Sequence, residues 1–363
     1  MNELIKDNDI VEIGYAPSTG GRRPQMYSLR ADRMYTVAVA MDQLFTRIVI
    51  MDMQRRPVTT AEKFELHLAK NLRALEVLAE KIDEYIDRSG IKKEKLAGIG
   101  VGMPGFVDFK KGINYSFLGT GERSITHYIM DKIGVRTYIE NDSSLIALAE
   151  LSFGAAYQKK SAMVINLGWG IGLGLILNGE LFRGANGFAG EFSHLPLFSN
   201  NRLCSCGKSG CLETEASLLV VVGKAKEGIA EGRVTMLTQA QLEDNLDEAS
   251  NAVISAADKG DKFAVELLSE AGYNIGRGVA ILIHLLNPEL IVLGGRGAAA
   301  GKIWQTAIQQ ALNEHCIPRL AAGTEIRISS LGLDAELIGA AALVMENYVK
   351  GSIKKGTSTV LAH

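Results

Sequence analysis

The sequence predicts a duplicated α/β fold, in which two similar halves each combine a hairpin of strands with further strands and helices. Residues 34–58 contain two β-branched runs on either side of a short polar break. Residues 161–179 repeat this pattern of strand, glycine-containing turn and strand. Each hairpin is followed by strand-like and helix-like segments in turn, which is typical of α/β architectures.

The elements of the first half follow its hairpin in order. A long amphipathic helix is predicted from about residue 65 to residue 89, and the apolar strand 96–104 comes after it. The next strand is predicted over residues 135–142 and ends in polar residues. Asp142 is expected to cap the helix that begins there, because a carboxylate accepts hydrogen bonds from the first backbone N–H groups of a helix.

The remaining elements complete the second half and the N-terminus. Helices are expected over about residues 215–285 and 335–350, with the strand 289–295 between them. Two strand-like runs around a Gly-Gly turn near the N-terminus predict a separate β-hairpin. The sequence thus predicts three domains, which are the hairpin segment 1–33, a smaller lobe of residues 34–145 plus 336–351, and a larger lobe of residues 146–335.

Composition and charge exclude several classes of function. Hydrophobic residues make up 47% of the 363-residue chain, and its formal net charge of −2 lacks the basic excess of a dedicated nucleic-acid binder. The sequence has no run of about 18 apolar residues, so no membrane partner is expected. The N-terminal stretch carries acidic residues and lacks the apolar core of a signal peptide. With only four cysteines, the chain is expected in the reducing cytoplasm.

Three of the four cysteines lie within eight residues, and a histidine precedes them. Structural zinc sites take four His or Cys ligands, and closely spaced thiolates can reach one ion from a single tight loop. Gly207 and Gly210 permit the sharp turns of such a loop. The alternative is three buried thiols near a surface histidine, and Cys316 is expected to be an ordinary core residue. The predicted ligands of the structural zinc are His194, Cys204, Cys206 and Cys211.

Several motifs occur together in this chain. They are GEFSH, CSCGKSGCLE and INLGWGIGLGLILNG, with GMPGFVD, IENDSSLIALAE and NPELIVLGG elsewhere. In combination they resemble the ROK family of repressors, open reading frames and sugar kinases, over essentially all of residues 1–350. The resemblance implies an actin-like ATPase (ribonuclease H-like) fold, in which two α/β lobes close over a sugar. It also implies a homodimer or a homotetramer.

The resemblance further implies a sugar site. Sugars are bound by several hydrogen bonds from carboxylates and amides, and a histidine can bind zinc through one ring nitrogen and a hydroxyl through the other. Glu191 and His194 are three residues apart, so one short element can present both. The alternative for each carboxylate alone is a solvated surface residue. The family's sugar contacts correspond here to Gly105, Asn141, Asp142, Glu191, His194 and Glu213.

The turns that bind phosphate in the family's kinases differ in this chain. ROK kinases carry Asp-x-Gly-Gly-Thr at the first hairpin, where this sequence has Ala40 in place of the aspartate. Asp42 and Gln43 replace the two glycines, and a carboxylate there would repel a triphosphate. In the second hairpin, Trp169 replaces the small hydroxyl residue of Gly-Thr-Gly. ATP and Mg²⁺ are therefore not expected as cofactors.

The N-terminal hairpin resembles the wing of the winged helix-turn-helix in ROK repressors, including the sequence Gly-Gly-Arg-Arg-Pro. Arg22 and Arg23 at its tip suit contacts with DNA phosphates or the minor groove. The alternative is a solvated hairpin without a partner. The resemblance implies helices before the wing, and Met1 falls about where the base-reading helix should end. Operator DNA is therefore expected as a partner only with a complete helix-turn-helix.

These observations predict a sugar-responsive transcriptional regulator of the repressor type. Its effector is expected to be a monosaccharide or its derivative, such as glucose, xylose, N-acetylglucosamine or a phosphorylated form. Sugar binding would favour a closed form, to the extent that the sugar binds the two forms with different affinity. The alternative is an ATP-dependent sugar kinase of the glucokinase or N-acetylhexosamine kinase type, in which Asp142 would be the catalytic base.

Overall fold

The structure is a computed structural model that describes Ile5 and residues 10–16, 23–119, 123–243 and 245–360, the last twelve of these in backbone only. Its contacts divide the chain into two compact units. Among the described helices, none combines the length and apolarity that crossing a bilayer requires. Unit 1 comprises Met1–Leu145 and Glu336–His363, and unit 2 comprises Ile146–Ala335.

The N-terminal part of unit 1 is an antiparallel hairpin of β1 (Ile10–Tyr15) and β2 (Gln25–Leu29). A hydrogen-bonded turn elsewhere in unit 1 holds its end. The Gln54 side-chain amide donates to the Leu29 carbonyl at 2.8 Å, and the Met53 N–H donates to the Ala31 carbonyl at 3.1 Å. The hairpin is therefore attached to the turn that contains Met53 and Gln54.

The main sheet of unit 1 is mixed, with the strand order β5-β4-β3-β6-β9. Strands β3, β4 and β5 are antiparallel neighbours, whereas β6 and β9 run parallel to β3. A separate short pair consists of β7 and β8. The strands are β3 (Tyr35–Met41), β4 (Phe45–Asp52), β5 (Glu62–Glu65), β6 (Leu96–Met103), β7 (Val107–Asp108), β8 (Ile113–Asn114) and β9 (Thr137–Asn141).

The first long helix of unit 1 begins later than predicted. It spans Ala74–Ser89 and buries Leu75, Leu78, Ile82 and Ile86, whose spacing of three and four residues forms one apolar face. Residues 66–73 lie outside the helix because β5 pairs with β4, and the chain then keeps bonding to the neighbouring turn. The other helices of unit 1 are Ile125–Ile133 and Ala335–Val360, with the start of Asp142–Phe153 and the 3-10 turn Lys93–Lys95.

Unit 2 repeats the topology of unit 1. Its sheet has the order β12-β11-β10-β13-β14, again with three antiparallel strands followed by two that run parallel to the central one. This correspondence confirms the predicted duplicated α/β architecture. The strands are β10 (Ser161–Leu167), β11 (Ile171–Leu177), β12 (Glu180–Phe182), β13 (Leu290–Gly294) and β14 (Glu325–Ile328).

The helices of unit 2 pack around one long helix, Lys262–Leu286. Asp261 caps its start by accepting a hydrogen bond from the Ala264 N–H at 2.9 Å. Gly276 lets the helix Gly301–His315 approach closely, because a Cβ atom built there would lie 2.6 Å from the Ala311 Cβ. The other helices are Glu213–Ala216, Leu218–Ala230, Gln239–Glu243, Leu246–Asp258 and Pro318–Ala321, with 3-10 turns at Phe192–His194, Arg296–Ala300 and Gly332–Asp334.

Candidate functional site

A cluster of three thiols and one imidazole lies on a loop of unit 2. The donor atoms of His194, Cys204, Cys206 and Cys211 all lie within 4.8 Å of one another. The Cys204 Sγ is 3.5 Å from the His194 Nδ1, and the Cys206 Sγ is 3.7 Å from the Cys211 Sγ. The structure therefore brings together the four side chains that the spacing predicted.

These distances match a tetrahedral zinc site. With Zn–S bonds near 2.3 Å and Zn–N bonds near 2.0 Å, two ligating sulfurs are about 3.8 Å apart and a sulfur and a nitrogen about 3.5 Å apart. Burial and the neighbouring thiols raise the pKa of the metal-free Cys211 thiol to about 12. A thiolate at this position thus requires a compensating cation, and the donor set fits zinc.

The loop reaches this shape through backbone turns. The Cys204 N–H donates to the Lys208 carbonyl at 2.7 Å, and the Gly207 N–H donates to the Cys204 carbonyl at 2.9 Å. Gly210 has a φ of 74°, and a Cβ atom there would lie 1.9 Å from the Phe198 carbonyl oxygen. Only glycine fits this position, which turns the chain back towards Cys211.

Glu191 lies beside the outer nitrogen of His194. Its Oε2 is 3.7 Å from the His194 Nε2, the ring nitrogen that faces away from Cys204. Burial raises the pKa of the Glu191 carboxyl, the charge of His194 opposes this shift, and the charge of Glu213 adds to it. The metal loop thus carries a carboxyl, 42% exposed, next to a histidine whose other nitrogen faces the thiols.

Glu213 lies at the other end of the metal loop, at the start of the helix Glu213–Ala216. Its carboxylate lies against the tip of the β10–β11 hairpin, because a Cβ atom built on Gly170 would be 2.5 Å from the Glu213 Oε2. Unit 2 therefore supplies Glu191, His194 and Glu213 from one loop and its flanks.

Gly105, Asn141 and Asp142 belong to unit 1. The Asn141 side-chain amide donates to the Gly105 carbonyl at 3.2 Å, and its oxygen accepts from the N–H groups of Ser143 and Ser144 at 3.0 and 3.2 Å. Asn141 therefore caps the helix Asp142–Phe153, and the expectation that Asp142 is the cap was wrong. Asp142 is the first helical residue, one position further along, and accepts from the Ser143 N–H at 2.7 Å.

Asp42 closes the tip of the first hairpin in unit 1. Its Oδ1 accepts hydrogen bonds from the backbone N–H groups of Leu44 and Phe45, at 2.8 and 2.7 Å. A protein carboxylate thus occupies N–H groups of the β3–β4 turn. Such N–H groups are the donors that a phosphate-binding turn offers to its ligand.

Trp169 occupies the tip of the second hairpin, in unit 2. The guanidinium carbon of Arg296 lies 4.4 Å from the centroid of a Trp169 ring, and Arg296 also forms an ion pair with Asp247. The contact between Arg296 and Asp247 was not expected from the sequence, because the two residues lie 49 positions apart. Its one available signal was that Arg296 directly follows the Gly-Gly of NPELIVLGG.

The structure describes one of the two arginines at the tip of the N-terminal hairpin. Arg23 is described and exposed, whereas Arg22 lies outside the described residues. Exposed apolar side chains of the hairpin include Ile13 and Tyr15, which are 56% and 60% exposed.

Comparison with known proteins gives relatives of two kinds. The ROK family model matches residues 57–347. The glucokinase of Halalkalibacterium halodurans is 35% identical over 287 residues, which are 78% of this chain and 86% of that protein. The xylose repressor of Caldicellulosiruptor bescii is 28% identical over 359 residues, which are 96% of this chain and 87% of that protein.

A solved structure shows the fold. It is a ROK family transcriptional regulator, a homologue of the E. coli MLC protein, with a TM-score of 0.78 and 24% identity over 96% of this chain and 87% of its own. The predicted actin-like ATPase (ribonuclease H-like) fold is confirmed. Since a kinase and repressors are both relatives, similarity alone leaves regulator and kinase open.

Proposed function

Because the chain belongs to the ROK family, we propose that it is a sugar-responsive regulator of the repressor type and not an ATP-dependent sugar kinase. The single observation that carries this proposal is the hydrogen bonding of Asp42. Its carboxylate accepts from the N–H groups of Leu44 and Phe45, which a kinase would offer to a phosphate. The same carboxylate adds a negative charge where a triphosphate would have to approach.

The second hairpin supports the same choice. Trp169 lies between the two glycines of the turn, and its ring is covered by Arg296. An indole occupies space that a phosphate would need, and Arg296 is already paired with Asp247. Protein side chains therefore occupy the tips of both turns, where a kinase would bind phosphate.

We propose that the sugar is bound by Gly105, Asn141, Asp142, Glu191, His194 and Glu213. Two kinds of observation support this set. The Asn141 amide is fixed between the Gly105 carbonyl and the helix it caps, which gives it one orientation. In unit 2, burial raises the pKa of Glu191 next to His194, and perturbed carboxyls in clusters of polar groups are typical of functional sites.

Zinc bound by the four ligands would have a structural role. It would join the segment that carries Glu191 and His194 to the segment that leads into Glu213, and so hold these side chains at a fixed separation. The ligand His194 would retain its Nε2 for a hydrogen bond, because the Nδ1 faces the thiols. The metal is thus proposed to shape the sugar site without touching the sugar.

The test is calorimetric titration of the full chain with glucose, xylose, N-acetylglucosamine and their phosphates, each with and without Mg-ATP. We expect one sugar to bind with a stoichiometry of about one per chain, with an affinity that Mg-ATP does not change. Glu213→Gln should weaken that binding at least tenfold, because a neutral amide loses the charge-assisted hydrogen bond. Glu231→Gln, at an exposed position of the same unit, is the matched control.

Two outcomes would contradict the proposal. Formation of sugar phosphate from ATP would establish the kinase alternative, in which Asp142 accepts the proton of the sugar hydroxyl. The observation that favours this kinase alternative is the 35% identity with a glucokinase. Absence of binding for every sugar in the panel would remove the effector from the proposal.

We propose a DNA contact only for the hairpin tip. Arg23 is exposed and suits a phosphate contact, while in a helix-turn-helix the bases are read by a helix in the major groove. In gel-shift assays on a chain with a complete helix-turn-helix, Arg23→Ala should weaken binding equally on operator and random DNA and lower the salt slope by about one. A loss of operator preference would contradict this role.

The assembly is proposed to be a homodimer or a homotetramer, as the resemblance implies. Light scattering coupled to size exclusion should give two or four times the mass of the 39.1 kDa chain. A monomer at micromolar concentration would contradict this part of the proposal.

A further inference from the structure

Three side chains from distant parts of the sequence form a stack in unit 2. The Arg296 guanidinium lies over a Trp169 ring at 4.4 Å, and its Nη1 pairs with the Asp247 Oδ1. The side chains of Arg296 and Asp247 are only 21% and 22% exposed, so solvent screens their attraction less than at an open surface. We call Trp169, Arg296 and Asp247 the latch.

The latch joins three separate elements. Trp169 is the tip of the β10–β11 hairpin, and it packs against the hydrophobic core of unit 2. Arg296 follows the C-terminal end of β13, and Asp247 lies in the first turn of the helix Leu246–Asp258. A planar guanidinium can stack on an indole and bind a carboxylate at the same time, which an ammonium group does less well.

The hairpin tip that the latch holds is also the surface on which Glu213 rests. Gly170, next to Trp169, leaves room for the Glu213 carboxylate, and any Cβ atom there would approach it to 2.5 Å. The Leu218 N–H donates to the Gly168 carbonyl at 3.1 Å, which ties the same tip to the chain that follows Glu213. A displacement of the tip would therefore displace Glu213.

We propose that Arg296 is a positioning residue, which holds Trp169 and thereby fixes the hairpin tip and the Glu213 carboxylate beside it. The role of Glu213 towards sugar rests on the proposed function, whereas the fixed position of the tip does not. Asp247 holds the Arg296 guanidinium through their ion pair. The latch does this by contacts within the protein, at a turn that carries an indole in place of a small side chain.

The first experiment needs no ligand. The chain has two tryptophans, and Trp304 is only 1% exposed, so acrylamide quenching reports mainly on the partly buried Trp169. Arg296→Ala should raise the quenching constant about twofold and speed hydrogen exchange of the hydrogen-bonded amides of Gly168 and Leu218 about tenfold. Arg296→Lys should recover only part of both effects. Trp169→Phe identifies the signal, because it should abolish the change in quenching.

A matched control removes a different ion pair from the same unit. Arg327→Ala breaks an exposed pair with Glu325 on β14 and should leave quenching and exchange unchanged. Unchanged quenching and unchanged exchange in Arg296→Ala would overturn the proposal, whether or not the protein binds a sugar.

The second experiment tests the consequence for binding. For a sugar that the wild type binds, Arg296→Ala should weaken binding about tenfold while zinc content stays at the wild-type level. Wild-type affinity together with faster exchange would overturn the link from the tip to Glu213. If the wild type binds no sugar, the proposed function fails, and exchange at Leu218 still decides whether Arg296 fixes the tip beside Glu213.

Discussion

Gly170 is a residue whose substitution by alanine should change sugar affinity while leaving the stability of the fold nearly unchanged. Gly170→Ala puts a Cβ atom 2.5 Å from the Glu213 Oε2, and the flexible carboxylate can move away at little cost to stability. If Glu213 binds the sugar as proposed, sugar affinity should fall about tenfold, because the displaced carboxylate would lose its charge-assisted hydrogen bond. Calorimetric titration measures the affinity. The free energy of unfolding, measured by thermal denaturation, should change by no more than about 1 kcal/mol.

The neighbouring glycine supplies the control for this prediction. A Cβ atom on Gly168 would meet its nearest atom at 3.6 Å, which is an ordinary van der Waals contact. Gly168→Ala should therefore retain wild-type affinity. Equal affinities for the two variants would show that Glu213 does not contact the sugar.

At the scale of elements, the metal loop depends on a long helix that the zinc motif does not reveal. Gly278 in the helix Lys262–Leu286 faces Phe192 and Leu212, and a Cβ atom there would lie 2.7 Å from the Phe192 ring. Phe192 and Leu212 are close in sequence to His194 and Cys211 of the cluster. The helix therefore packs against the two ends of the metal loop, through a close contact that only glycine permits.

Gly278→Ala is expected to destabilise the protein by about 1–3 kcal/mol through overpacking and to weaken zinc retention. Denaturant unfolding measures the first effect, and metal analysis after dialysis against a weak chelator measures the second. Gly223→Ala is the control, because nothing lies within 4 Å of its Cβ position in the helix Leu218–Ala230. The free energy of unfolding of that variant should rise by about 0.5–1 kcal/mol, since alanine is the better helix former. Full zinc retention in Gly278→Ala would contradict the prediction that packing at Gly278 stabilises the metal loop.

The prediction from sequence succeeded for elements whose determinants are local. The four predicted zinc ligands lie within eighteen residues, so their spacing alone predicted the cluster, and the two hairpins predicted the duplication. The prediction failed where two adjacent residues could fill the same position, and where two contacting residues lie far apart in the sequence. Asn141 and Asp142 are both good caps, and only the strand end decides that Asn141 takes this position. Arg296 and Asp247 meet only through the tertiary fold, and their separation of 49 residues does not predict that contact.

At the scale of the whole molecule, each unit has its own hydrophobic core. One cluster of buried side chains surrounds the unit 1 sheet, and another fills unit 2. Removal of zinc by a chelator should therefore speed hydrogen exchange in residues 190–216 and in the helix Lys262–Leu286, while β3 and β6 stay protected. Mass spectrometry of exchanged peptides tests this, and Cys204→Ser should reproduce the pattern without chelator. Uniform loss of protection in both units would contradict it.

Strand β4 connects two turns, and in each of them a side chain makes hydrogen bonds to the backbone. At one end is the Asp42 turn, and at the other are Met53 and Gln54, which hold the N-terminal hairpin. Eight residues of extended chain measure about 26 Å, which is the distance that β4 spans between these two turns. The Asp42 carboxylate accepts hydrogen bonds from two backbone N–H groups at one end, and the Gln54 amide donates to the Leu29 carbonyl at the other. One buried strand therefore connects the turn that carries Asp42 with the segment that anchors the N-terminal hairpin, and side-chain hydrogen bonds close the chain at both of its ends.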